Sequence, residues 1–277
     1  MKSLNFDAAF ESYLRQWMKD NAEKFANNMD RLEEMVPDIY LEFLDTPQDF
    51  LSGETPATYF DKYDDPNQLI SLMRQYETDG VPVPDLLLER IVDLGAPSEA
   101  ALLQILSDPE AGESEKMTAV SLLREIGSEK PMGQYVKWIT GMQESGDLFD
   151  LCAEALTTMG NQVVEPLLGG YPQASEAAKC VIADILCNFK GDARIFEILK
   201  DRFLVCHDQK ALFASYLAKY GDERALPLLI EAGQNMGLDY LDFVEISNAI
   251  ESLGGDPLPE REYSGDPYYD AMKKMEH

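Results

Sequence analysis

The sequence predicts an all-α protein in which residues 81–255 stack as a solenoid of helix pairs. Three observations predict it. Glycines recur at Gly95, Gly127, Gly160, Gly191, Gly221 and Gly254, with separations of 32, 33, 31, 30 and 33 residues, the period of a helical repeat. Four residues before these glycines stand Ile91, Leu123, Leu156, Cys187, Leu217 and Ile250. Eight before stand Leu87, Ala119, Cys152, Ala183, Phe213 and Ile246. All twelve are apolar or cysteine in a chain that is 45% hydrophobic, so chance does not explain them. Spacings of four and eight place them on one helical face. The third observation is a second apolar helix after most of the glycines.

Taken in order, Phe6, Phe10, Tyr13, Leu14, Trp17 and Phe25 recur at helical spacing and predict one long first helix. Met29, Leu32, Met35, Ile39 and Phe43 mark a second, with Pro37 as a point of kinking or splitting. The aromatics of both read as mutual core packing. Pro47, Gly53 and Pro56 interrupt residues 44–64, with Thr55–Pro56 read as a helix start. Asp65–Pro66 opens the next helix and Gly80 closes it. The joint VPVP at 81–84 divides a helical N-terminal cap, residues 1–80, from the repeats.

From Asp85 each first helix ends at a marker glycine, where a left-handed turn favours that residue. Seven and eight residues later come Leu102–Leu103, Leu167–Leu168, Ile198–Leu199 and Leu228–Leu229. The second repeat has Gln134–Tyr135 there, a weaker match. Pro257 and Pro259 deny the last repeat a normal second helix. Residues 256–277 form a tail, with Tyr263, Tyr268 and Tyr269 expected to fold back as a cap.

The segments GDERALPLLIEA (221–232) and GNQVVEPLLGGY (160–171) resemble the second helix of HEAT-like repeats of the phycobilisome-lyase type. EKMTAVSLLREIG (115–127) resembles that repeat's first helix. The resemblance covers residues 85–254. It implies a right-handed α-α superhelix of the ARM/HEAT-like kind, with second helices lining the concave side. The residues it would turn to a ligand are Tyr135, Trp138, Met142, Glu165, Tyr171, Arg194, Glu197, Asp201, Arg224 and Glu231. Tyr135, Trp138 and Met142 fall where the leucine pair is missing, so they are either an aromatic binding spot or substitute core.

The chemistry-bearing residues are few. The two histidines are His207 and the terminal His277. Cys206 adjoins His207, but adjacent helical residues point apart and make a poor dyad. No HExxH, CxxC, calcium loop or phosphate-binding glycine loop is present. The His-Glu pairs of HEAT-like di-iron hydroxylases are also missing. Cys152, Cys180, Cys187 and Cys206 are expected to be reduced thiols, with Cys152 and Cys187 buried. Cys180 and Cys187 lie two turns apart, too far to bridge within a straight helix.

With 51 acidic and 23 basic residues, the formal net charge is −28. Such a field repels phosphate backbones and anionic lipid, so neither nucleic acid nor membrane is an expected partner. HEAT-like glycosylases need a basic concave face, whereas Lys137, Arg194, Lys200 and Arg224 here stand among acids. Asp7 and Glu11 break up any secretory leader, and a cytoplasmic protein is expected. The sequence thus favours a non-enzymatic scaffold binding a protein or peptide, a basic one by charge, with no cofactor. The alternative is a lyase-like enzyme or accessory holding a small ligand in the concavity.

Overall fold

The computed structural model describes residues 3–25 and 28–275. His277, and Met1 at the head of the segment read for a leader, lie outside them. The described residues are all-helical, with sixteen α-helices and no strand. None of these helices is long and apolar enough to cross a membrane. The chain divides into two compact units, Met1–Ser128 and Glu129–His277.

The first unit begins with α1 (Phe6–Asp20), α2 (Ala22–Phe25) and α3 (Met29–Asp45). The predicted single first helix is broken at Asn21, whose side-chain amide donates to the Trp17 carbonyl at 2.9 Å. That bond satisfies a carbonyl at the helix end. Pro37 does not split α3, which runs through it. Trp17, Phe25, Leu32 and Ile39 form a buried cluster, with Phe10, Tyr13, Leu14, Met18 and Met35 packed on it. The aromatic stripe is therefore core, as expected. Phe6 is caged by Phe50, Tyr59 and Phe60, with ring centroids at 5.6, 5.8 and 5.6 Å. Thr55–Pro56 opens only a 3-10 turn, Pro56–Thr58.

Asp65 caps α4 (Pro66–Asp79) through its side chain, which accepts from the Asn67 amide. Gly80 ends it in a left-handed turn. Beyond the VPVP joint come α5 (Asp85–Asp93), α6 (Ala96–Ser107) and α7 (Glu113–Glu125). α4 packs against both α5 and α6, and α7 against the same pair. Arg74 of α4 ion-pairs with Glu115 of α7.

The second unit runs α8 (Met132–Gly141), α9 (Asp147–Thr158), α10 (Val164–Gly170), α11 (Glu176–Leu186), α12 (Ala193–Val205), α13 (Lys210–Tyr220), α14 (Leu226–Gly233), α15 (Tyr240–Ser252) and α16 (Pro267–Met275). In the repeat expected from the sequence, α9, α11, α13 and α15 take the place of first helices and α8, α10, α12 and α14 that of second helices. α9 packs against α8 and α11, α12 packs against α11 and α13, and α15 packs against α13 and α14.

All twelve residues at the four- and eight-residue positions are 0% exposed. Full burial of a leucine, isoleucine or phenylalanine side chain contributes roughly 1.5–3 kcal/mol, which the eight larger of these side chains each supply, whereas Ala119, Cys152, Ala183 and Cys187 supply less. All six marker glycines have φ between 63° and 99°. In each leucine pair one member is wholly buried: Leu102, Leu167, Leu199 and Leu229.

The tail folds back within its unit through Tyr263 and Tyr269, whereas Tyr268, also expected in the cap, stays exposed. The Leu258 amide donates to the Ser247 hydroxyl at 3.1 Å. Arg261 donates to the Gly233 and Asn235 carbonyls, at 2.7 and 3.0 Å. A Cβ on Gly233 would stand 2.4 Å from a Leu258 methyl, so glycine is what lets the tail approach α14. Tyr240, Tyr263 and Tyr269 form a triangle of rings with centroids 5.2–6.0 Å apart.

Candidate interaction surface

The residues singled out on the second helices of the second unit separate into core and surface. Tyr135 sits eight residues after Gly127, the position held by Leu199 and Leu229 after their glycines, and is 0% exposed. Met142, which ends α8, is buried too. Both are corrected from surface candidates to core: helix packing fills the missing leucine's place with the tyrosine ring. Its hydroxyl finds no hydrogen-bond partner among the described residues, and burial pushes its pKa up. Trp138 is half-buried, with its ring centroid 6.2 Å from that of Tyr135. Of the three, Trp138 alone offers an aromatic edge to solvent.

The α10–α12 edge carries a compact ion network. Asp192 caps α12, its carboxylate accepting from the Arg194 amide at 2.9 Å and from Arg194 Nε at 3.0 Å. The Arg194 guanidinium also pairs with Glu165 on α10. Hydrogen bonding to Arg194 lowers the pKa of both carboxylates. The next second helix repeats the device: Asp222 accepts from the Arg224 amide at 3.0 Å and pairs with its guanidinium. The Arg224 guanidinium carbon stands 4.2 Å from the centroid of the Phe196 ring on α12, within cation–π range.

Around Arg194 lies an open cleft of about 490 Å³, lined by Asn161, Glu165, Lys190, Asp192 and Arg194 among others. Glu197 pairs with Lys200 on its own helix. Asp201 and Glu231 are exposed, and among the described residues neither has an ion-pair partner. On the second helices Arg194 and Arg224 are turned onto neighbouring carboxylates, while Asp201, Glu231 and the exposed Lys137 have no ion pair among the described residues.

Tyr171 belongs to another neighbourhood. It ends α10, with Lys179 Nζ 5.9 Å from its ring centroid, and burial pushes its hydroxyl up to about 12. Nearby stands Arg202, which the sequence reading passed over and which is only 8% exposed. It pairs with Glu176 and donates to the Cys180 sulfur at 3.5 Å. A signal for it exists in the sequence, since Arg202 continues the buried stripe Ile195, Phe196, Leu199 and Phe203. A cation at a core position must have partners.

Cys152 and Cys187 are buried, and burial pushes both thiols up to about 12. Cys180 and Cys206 are part-exposed. No group of three or more histidine, cysteine or acidic side chains placed to hold a metal ion occurs among the described residues. Comparison with models of protein families, with curated proteins and with solved structures finds no match to this chain.

Proposed function

We propose that the chain is a non-enzymatic scaffold that binds a protein or peptide through the exposed face of its second helices. In this reading residues 81–255 are a right-handed ARM/HEAT-like superhelix and residues 1–80 its N-terminal cap. The observation that carries it is the pairing of Arg194 and Arg224 with Asp192, Glu165 and Asp222. That pairing occupies two cations and leaves Asp201 and Glu231 unpaired among the described residues, which suits them to a basic segment. Trp138 adds an aromatic edge of the kind enriched at binding hot spots.

The lyase-like alternative asks for an enclosed apolar cavity lined by converging acids and tyrosines. The cleft beside Arg194 is open and mixed in polarity, which favours an extended partner over a small cofactor.

The test is binding of a lysine- and arginine-rich peptide, followed by titration with salt, on wild type, Trp138→Ala and the double charge reversal Asp201→Lys/Glu231→Lys. Salt-sensitive binding that both variants lose, with unchanged helical circular dichroism, supports the reading. Binding that neither variant weakens overturns it.

A further inference from the structure

Four cysteines occur in the chain, and the second unit treats them differently. Cys152 and Cys187 are 0% exposed, with thiols raised to about 12 by burial, so both are held as inert core. Cys180 and Cys206 reach solvent in part.

Cys180 stands on α11 against the end of α12. Its thiol donates to Gln209 Oε1 at 3.3 Å. Its sulfur accepts from Arg202 Nη2 at 3.5 Å. Arg202 is more than nine-tenths buried, pinned by Glu176 on one side with its guanidinium carbon 5.5 Å from the Phe213 ring centroid on another. Its Nε is buried and finds no hydrogen-bond partner among the described residues. The guanidinium thus sets an Nη2 donor on the sulfur, where it can also meet an oxygen attached to that sulfur.

Cys206 lies on the same short span. Arg202 and Gln209 both touch the Cys180 sulfur, and Cys206 falls between them in the chain. Its amide donates to the Arg202 carbonyl at 2.8 Å, and its carbonyl accepts from the Gln209 amide at 3.2 Å. The residue has left the helix, with φ −88° and ψ 84°, at the junction of α12 and the 3-10 turn His207–Gln209. A thiol at a helix end can approach a neighbouring helix by local adjustment, because only a terminal turn has to move.

We propose that Cys180 and Cys206 are a peroxide-oxidised dithiol, in which Cys180 is attacked first, positioned by Arg202 and Gln209, and Cys206 resolves the product. In the first step the Cys180 thiolate attacks hydrogen peroxide. An S–O bond forms, the O–O bond breaks, and the departing hydroxide takes up the thiol's proton as water. In the second step the Cys206 sulfur attacks the sulfenic sulfur. The S–S bond forms, the S–O bond breaks, and the hydroxyl leaves as a second water with the Cys206 proton. Two thiols are oxidised to one disulfide and one peroxide is reduced to two waters.

The test treats the full reduced chain with hydrogen peroxide and maps thiols by alkylation and peptide mass spectrometry. The expected result is a Cys180–Cys206 cross-link with Cys152 and Cys187 still alkylated after unfolding. Cys206→Ser should lose the cross-link and trap a sulfenic acid at Cys180 that reacts with dimedone. Cys180→Ser should lose both signals. Both are conservative changes at part-exposed positions, and circular dichroism verifies their folds. Four thiols surviving peroxide, a cross-link between any other pair, or dimedone labelling of Cys206→Ser that misses Cys180 would each overturn the proposal.

Discussion

The Tyr220 hydroxyl donates to the Asp192 carbonyl at 2.7 Å and accepts from the Gly191 amide at 3.1 Å. Tyr220 closes α13 and is 2% exposed. It ties the turn before Gly221 to the turn after Gly191, so two successive glycine turns are joined by one side chain. Tyr220→Phe removes the hydroxyl partner of the part-buried Asp192 carbonyl and Gly191 amide, and should destabilise the protein by about 0.5–1.5 kcal/mol. Denaturant unfolding with an unchanged slope is the measurement; no loss of stability would show that water replaces the hydroxyl.

The same substitution should act in the opposite direction at Tyr135. That hydroxyl is buried without a partner among the described residues, while its ring fills a core position. Tyr135→Phe keeps the ring and removes the unsatisfied oxygen, so stability should rise by about 1 kcal/mol. A decrease would mean that the hydroxyl holds an ordered water. The pair of variants separates hydrogen bonding from ring packing, since each loses the same atom.

These tyrosines also show what the sequence could and could not display. The twelve buried positions and the six positive-φ glycines were legible because each repeats a local rule: apolar spacing for burial, glycine for the turn. Tyr135 was ambiguous because a tyrosine suits both a core and a binding surface, and only the packing of α8 against α9 and α11 decides. Arg202 was overlooked because a charged residue is ordinarily read as exposed. Its place is set by Glu176 and Cys180, more than twenty residues away in the chain. The break at Asn21 depends on one side-chain bond that no periodicity registers.

The marker glycines do not all do the same work. Gly221 has φ 77° and ψ 30°, a left-handed conformation that asparagine also adopts. Gly95 has φ 63° and ψ −122°, a region essentially closed to residues with a Cβ. A Cβ at Gly95 meets nothing within 4 Å, whereas one at Gly221 would press on the flexible end of Lys190 and meet the Ala218 carbonyl oxygen at an ordinary 3.9 Å. Backbone strain therefore sets the difference. Gly95→Asn should lower stability by about 1–3 kcal/mol, and Gly221→Asn by less than about 1 kcal/mol. Equal losses in thermal or denaturant unfolding would refute this division.

Alkaline pH should weaken the fold before it alters any exposed charge pair. Cys152 and Cys187 are raised by burial from 9.0 to about 12. Above pH 9 the unfolded chain releases these two protons while the folded chain keeps them. The folded state then binds more protons, so unfolding free energy falls as pH rises. The contribution is flat below the unfolded value and declines by up to about 1.4 kcal/mol per pH unit for each thiol above it. Tyr76 and Tyr171, both raised by burial from 10.0 to about 12, add to the decline from pH 10 upward. Unfolding midpoints measured under reducing conditions across this range should drop more steeply for wild type than for Cys152→Ala/Cys187→Ala. Parallel curves would mean that ionisation of the two core thiols is not what limits alkaline stability.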